Sequence, residues 1–129
     1  MKLLLDTHAL IWWWLDVPKL STTARTAIHD PAHDVWVSAA TAWEIMTKQR
    51  LGKLPGLPPD LLGDYTALLQ ADGFNPLAIS TAHALRAGHH PAEHRDPFDR
   101  MLAAQAEIEG AVLVSCDAAL DQFGVRRLW

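Results

Sequence analysis

Short apolar runs alternate with longer helical patterns along this chain. Residues 3–5, 35–37 and 112–114 read as buried strands, and 74–79 and 125–129 are weaker strand candidates. Strands that alternate with helices at such spacings form parallel sheets, because each helix returns the chain to the edge where the next strand begins. The pattern therefore predicts a three-layer α/β/α domain with a central, mostly parallel sheet of four to five strands.

Capping and stop signals mark the helices between these strands. Thr7 is placed to cap the first helix, and Asp96, Pro97 and Gly110 bound the last one. The predicted helices cover residues 9–15, 21–28, 38–50, 60–70, 80–86 and 97–109, and a short helical turn follows at 118–123. Residues 88–95 between the last two helices form a polar, histidine-rich loop.

Composition fits one globular domain spanning residues 1–129. Half of the residues are hydrophobic, and the single cysteine, Cys116, excludes an intrachain disulfide framework. Asp6 and His8 interrupt the apolar N-terminus, so we expect no signal peptide. The longest apolar stretch, 9–15, is far below the roughly 18 residues of a membrane span. We expect a soluble, cytoplasmic protein with no membrane partner.

Four carboxylates are spaced as a metal-dependent nuclease requires. Asp6 and Asp117 each follow a short apolar strand, and in open α/β sheets sites form beyond the carboxyl ends of the strands. Glu44 and Asp99 lie on predicted helices. Magnesium prefers such oxygen ligands and completes its shell with waters and phosphate oxygens. Read singly, each acid could instead be a turn, capping or solvated residue.

The formal net charge of −4 is low for a protein that binds nucleic acid. A pocket of four carboxylates accounts for this deficit, and bound divalent cations would reverse its sign locally. Charge alone therefore does not exclude a nuclease.

Three segments carry a resemblance to a known family. Residues 4–13, residues 37–45 with 51–54, and residues 94–106 together resemble PIN-domain ribonucleases of the VapC type, in order and over nearly the whole chain. The resemblance implies the toxin of a type II toxin–antitoxin pair, an endoribonuclease that hydrolyses RNA with a water activated by Mg²⁺ or Mn²⁺. It matches the metal-holding, catalytic acids of the family to Asp6, Glu44, Asp99 and Asp117. It also implies a cognate antitoxin and a homodimer. The segment 89–93 departs from the family pattern.

Other residues near these acids have open assignments. Asp96 either shares the metal with Asp99 or only caps the helix, and Thr7 either orients a carboxylate or metal-bound water or caps its own helix. Basic residues beside the acids could form an RNA-binding rim, or be ordinary solvated residues: Lys48, Arg50, Lys53, Arg95 and Arg100.

Three consecutive tryptophans, Trp12, Trp13 and Trp14, fan around the first helix. We expect Trp13 to face a partner, either a second copy or the antitoxin, because aromatic residues are enriched in interface cores. The alternative is that the second helix folds over this face and covers it.

Two other functions remain open. His89, His90 and His94 could cut RNA by acid–base chemistry without a metal, or bind a transition metal. A PIN-like fold could also bind RNA or a protein without cleavage, although retention of all four acids argues against this. Sensitivity to EDTA and the chemistry of the product ends separate these functions.

Overall fold

One five-stranded parallel sheet forms the centre of the molecule, for which the computed structural model describes all 129 residues. The strands are β1 (Lys2–Leu5), β2 (Asp34–Ser38), β3 (Asn75–Leu77), β4 (Val112–Val114) and β5 (Arg127–Leu128). Their order is β3-β2-β1-β4-β5, and every neighbouring pair is parallel. The predicted fold class is therefore confirmed.

Six α-helices and one 3₁₀ helix connect the strands. The helices are α1 (Thr7–Leu15), α2 (Thr22–His29), α3 (Ala39–Arg50), α4 (Leu61–Ala71), α5 (Thr81–His89) and α6 (Pro97–Glu109), and the 3₁₀ helix is Ala118–Phe123. The predicted helices are all present, with ends displaced by at most three residues. None of them combines the length and the hydropathy that crossing a membrane would require.

The start of α1 differs from the prediction in one respect. Asp6, not Thr7, is the N-cap, and its Oδ1 accepts a hydrogen bond from the backbone N of Ala9 at 2.7 Å. Thr7 is the first helical residue, which frees its hydroxyl for a contact outside the helix. Capping by Asp6 fixes this carboxylate at the point where β1 ends.

The two faces of the sheet carry separate hydrophobic cores. Leu3 and Leu5 of β1 point into a larger core that also contains buried residues of α1, α2, α3 and α4. Leu4 points into a smaller core with Leu102 of α6 and Leu120 of the 3₁₀ helix. This alternation is the period-two pattern of a strand that is buried on both faces, and it produces the three layers.

The tryptophans of α1 are partly buried against other parts of the same chain. Trp12 packs against Trp129 with ring centroids 5.7 Å apart, and Trp14 packs against Tyr65 of α4 at 5.6 Å.

Trp13 contacts His29 of α2 and Phe74, at centroid distances of 6.0 and 5.8 Å. The second helix and the segment before β3 thus cover part of this face of α1, as the alternative predicted, while Trp13 stays partly exposed. That Trp13 faces a partner stays a prediction.

Candidate active site

Asp6 lies at the carboxyl end of β1 and is almost completely buried, with 6% of its surface exposed. Its carboxylate accepts a hydrogen bond from the N–H of Ala9, and its backbone N donates to the carbonyl oxygen of Val114 at the end of β4, at 3.0 Å. Asp6 is thus fixed between two neighbouring strands at the edge where the sheet predicted a site.

Glu44 reaches the same edge from α3. This helix starts directly after β2, so its second turn lies beside the end of β1. The buried carboxylate accepts a hydrogen bond from the hydroxyl of Thr7 and forms an ion pair of 2.7 Å with Lys48. Thr7 therefore contacts a carboxylate, one of its two predicted roles, and the buried charge of Glu44 is balanced by a cation four residues along its own helix.

Asp99 is contributed by the first turn of α6. Its Oδ2 accepts a hydrogen bond of 2.8 Å from Nε2 of His94, and its side chain is 23% exposed. The sequence analysis did not predict the contact with His94. The signal that could have indicated it is the position of His94, five residues before Asp99 in the loop that leads into α6.

These three acids influence one another electrostatically. Burial raises the pKa of Asp6, opposed by its hydrogen bonds with Ser115 and Ala9, and the charge of Asp99 raises it further. Burial also raises the pKa of Asp99, opposed by the hydrogen bond from His94, and the charges of Asp96 and Glu44 add to the rise. Asp99 is thus close enough to Asp6 and to Glu44 to feel or exert their charges, and ionisation of Asp6 and of Asp99 is unfavourable. We call Asp6, Glu44 and Asp99 the acidic cluster.

Asp117 and Asp96 each cap a helix. The exposed Asp117 caps the 3₁₀ helix by accepting a hydrogen bond from Ala119 N at 2.9 Å, and its own backbone N donates to Oγ of Ser115 at 3.0 Å. Asp96 caps α6, with Oδ1 accepting from the backbone N atoms of Phe98 and Asp99 at 2.8 and 3.2 Å. The capping role predicted for Asp96 is present.

The acidic cluster fits a hard divalent cation in the type of its donors. Carboxylate oxygens are the ligands of Mg²⁺ and Mn²⁺, and the raised pKa values of Asp6 and Asp99 are what a cation would relieve. The side chains are not arranged as a closed cage: no three carboxylate, imidazole or thiol groups come close enough together to hold one ion.

Two residues of the predicted RNA-binding rim have partners within the chain. Lys48 forms an ion pair with Glu44, and Arg100 donates all five of its N–H groups to backbone carbonyls. Arg50, Lys53 and Arg95 are exposed and keep that assignment as a prediction.

The histidine-rich loop contains no cluster of its own that resembles a metal or acid–base site. His90 and His94 both pack against the ring of Phe123, at centroid distances of 5.0 and 5.7 Å, while His89 is exposed. Nδ1 of His90 accepts a hydrogen bond from Ala92 N. These contacts give the histidines structural partners and leave the acidic cluster as the better candidate site.

An aromatic pair beside the acids was not predicted. Trp43, one residue before Glu44, is 62% exposed and meets Phe98, one residue before Asp99, edge to face with centroids 4.8 Å apart. The pair lines an apolar groove together with Ile79 of the segment before α5.

Comparison with known proteins finds one family model and one curated relative that match this chain. The family model described as PIN domain matches residues 3–125. Ribonuclease VapC16 of Mycobacterium tuberculosis is 37% identical over 71 residues. That alignment covers 51% of this chain and 49% of the relative, so it spans about half the length of the curated protein.

Solved structures share the whole fold at low sequence identity. VapBC2 from Rickettsia felis, crystallised with a DNA fragment from its promoter, contains a chain with a TM-score of 0.71 and 13% identity. VapBC-1 from nontypeable Haemophilus influenzae contains one with a TM-score of 0.69 and 20% identity. The alignments cover 98% of this chain in both cases, and 97% and 96% of the respective chains.

Proposed function

Because the chain belongs to the PIN domain family, we propose that it is a metal-dependent endoribonuclease that hydrolyses RNA phosphodiesters. The observation that supports the proposal is the acidic cluster: Asp6, Glu44 and Asp99 come from three different elements, and the charge of Asp99 raises the pKa of Asp6 while that of Glu44 raises the pKa of Asp99. Lys48 offsets the charge of Glu44, but burial raises the pKa of Asp6 and of Asp99, and a bound divalent cation would relieve this cost.

Asp6, Glu44 and Asp99 would hold Mg²⁺ or Mn²⁺, and the resemblance adds Asp117 as a fourth acid. A cation bound there would lower the pKa of an attacking water and stabilise the oxygens of an in-line displacement. The chain's own groups prepare the site for this: the Thr7 hydroxyl orients Glu44, helix capping orients Asp6, and His94 orients Asp99. Oriented carboxylates lose less entropy on binding a cation than free ones.

Lys48 would compensate the charge of Glu44 within the site rather than bind phosphate. Its ammonium group lies on the buried carboxylate at 2.7 Å, and a lysine in that position lowers the cost of a third negative charge. RNA capture then falls to the exposed cations Arg50, Lys53 and Arg95.

Membership of the PIN domain family, together with the resemblance to VapC toxins, also supports a biological role. We propose that the chain is a toxin, that it binds a cognate antitoxin and that it forms a homodimer. The curated relative is named Ribonuclease VapC16, and the structures with the same fold include VapBC2 and VapBC-1. Expression of the chain should therefore arrest growth, and co-expression with a protein encoded beside it should restore growth. Light scattering of the purified chain measures its oligomeric state.

The function is tested by the metal requirement and by the ends of the products. Purified protein should cleave RNA with Mg²⁺ or Mn²⁺, stop when EDTA is added, and leave 5′-phosphate and 3′-hydroxyl ends. A 2′,3′-cyclic phosphate formed in EDTA would instead establish histidine catalysis. Binding of RNA without cleavage under any metal condition would establish the non-catalytic module. The Asp99→Asn variant from the same preparation controls for contaminating nuclease.

A further inference from the structure

Arg100 has an unusual set of partners. It lies in the first turn of α6 directly after Asp99, and an arginine has five N–H groups in a fixed planar fork. Every one of the five is directed at a backbone carbonyl of the chain that leads from α5 to α6. The acceptors are the carbonyl oxygens of Ala87 (Nε, 2.8 Å), Ala92 and His94 (Nη1, 2.8 Å each), and Gly88 and His90 (Nη2, 3.4 and 2.6 Å).

The loop between α5 and α6 depends on this arginine for its shape. Residues 90–96 form no regular structure, and the backbone of 91–96 donates few hydrogen bonds, among them Ala92 N to His90 and His94 N to Gln122. Such a loop, mostly exposed and with few backbone hydrogen bonds of its own, has little to fix its conformation. Arg100 satisfies three carbonyls of this loop and two in the last turn of α5, where a cation is also favoured by the helix dipole.

The loop delivers His94 to the acidic cluster. Arg100 binds the backbone oxygen of His94, and the imidazole of the same residue donates to Asp99. The two neighbours Asp99 and Arg100 therefore hold His94 from both sides, one through its ring and the other through its backbone.

We propose that Arg100 is a positioning residue: it clamps the loop so that His94 orients the carboxylate of Asp99 for the cation. The proposal rests on the proposed function insofar as Asp99 binds the metal. It assigns to Arg100 no contact with RNA, because the guanidinium has no N–H group left to donate.

The test compares Arg100→Lys with Arg86→Met in the full-length protein. A lysine keeps the charge but offers at most three donors without the planar fork. Arg86 lies at the same end of α5 and forms only a surface ion pair with Glu107, so its removal is a matched control. Two quantities are measured without RNA: the imidazole ¹⁵N and ¹H signals of His94 in metal-free protein, and the affinity for Mn²⁺ by electron paramagnetic resonance.

Arg100→Lys should remove the hydrogen-bonded signal of His94 and weaken Mn²⁺ binding about 10–100-fold, the usual effect of losing a group that orients a ligand. Arg86→Met should change neither quantity. His94→Ala should weaken Mn²⁺ binding by a similar factor, and adding it to Arg100→Lys should have little further effect, because both changes act through one contact.

Unchanged Mn²⁺ affinity in His94→Ala would overturn the proposal, even if Arg100→Lys did not fold. So would a His94 signal in folded Arg100→Lys that matches wild type. Asp99→Asn separates this failure from failure of the proposed function. If Asp99→Asn also bound Mn²⁺ with wild-type affinity, Asp99 would not be a metal ligand and the proposed metal site would be rejected. If Asp99→Asn alone lost Mn²⁺ binding, only the role of Arg100 would be rejected.

Discussion

At the scale of single residues, the acidic cluster combines three carboxylates that are held in different ways. Asp6 is fixed by helix capping, Glu44 by Thr7 and Lys48, and Asp99 by His94. Because each has a separate source of orientation, single substitutions can test the acids one at a time without collapsing the others.

Asp6→Asn and Asp99→Asn should each lower the rate of RNA cleavage at least about 100-fold. Each removes a negative ligand, and a cation supplies several kcal/mol to such a reaction, where about 1.4 kcal/mol corresponds to tenfold. Initial rates on a labelled RNA at saturating Mg²⁺ measure the loss. Asparagine still caps a helix, so Asp96→Asn serves as the control and should remain close to wild type. A wild-type rate in Asp6→Asn or Asp99→Asn would contradict the proposed site.

The raised pKa of Asp99 predicts how the stability of the metal-free protein depends on pH. A folded-state pKa above the unfolded value means that stability from this group is complete below about pH 4, the unfolded pKa, and is lost as the pH rises through the folded value. At pH 7 the ionised Asp99 therefore destabilises the fold.

Asp99→Asn should consequently unfold a few degrees above wild type at pH 7 in EDTA, about 2–4 °C for roughly 1 kcal/mol, with the difference shrinking toward pH 4. Differential scanning calorimetry measures both curves. The exposed Asp117→Asn is the comparison and should show no such gain. Equal midpoints for wild type and Asp99→Asn across the pH range would refute the electrostatic cost.

At the scale of secondary-structure elements, α1 shows how a helix with apolar residues all round is accommodated. Trp12, Trp13 and Trp14 each meet a different part of the chain, the C-terminus, α2 and α4 respectively. The indole N–H of Trp14 also donates to Asp72 at 3.1 Å. Helix α1 therefore packs on several parts of its own chain while its tryptophans stay partly exposed.

Trp13→Ala should lower the free energy of unfolding by about 2–3 kcal/mol, somewhat less than for a fully buried tryptophan, without changing the oligomeric state. Trp43→Ala removes the same side chain from an exposed position and should change stability by no more than about 0.5 kcal/mol. Urea titration and light scattering measure the two quantities. A stable but dissociated Trp13→Ala protein would instead support the interface assignment.

Local signals sufficed to predict most elements but not the contacts between them. The sequence Asp96-Pro97 and Gly110 bounds α6 correctly because caps and stop signals act within a few residues. The pair of Glu44 and Lys48 was accessible in the same way, since residues four apart share a helix face. The partners of Arg100 and Trp13 were not, because they depend on the paths of a loop and of a second helix, which no local pattern determines.

At the scale of the whole molecule, the net negative charge opposes RNA binding and the exposed cations favour it. The net charge of −4 repels RNA at long range, so binding must depend on a few local cations. With Lys48 and Arg100 engaged inside the protein, the exposed candidates are Arg50, Lys53 and Arg95.

Lys53→Ala and Arg95→Ala should each reduce the salt dependence of RNA binding by about one unit of slope, as expected for one lost phosphate contact. Fluorescence anisotropy between about 50 and 200 mM salt, in EDTA so that the RNA stays intact, measures the slope. Arg126→Ala, an exposed arginine next to β5 at the sheet edge, is the control. Slopes identical to wild type in Lys53→Ala and Arg95→Ala would remove both residues from the RNA interface.

β1 lies at the centre of the sheet although it precedes the other four strands along the chain. One of its two neighbours, β4, comes from residues 112–114, and such distant pairing forms late because a long loop must close first. A growing chain that ends at α5 contains Asp6 and Glu44 but lacks Asp99 and the second partner of β1. During synthesis the proposed nuclease site would therefore stay incomplete until α6 and β4 have both been translated.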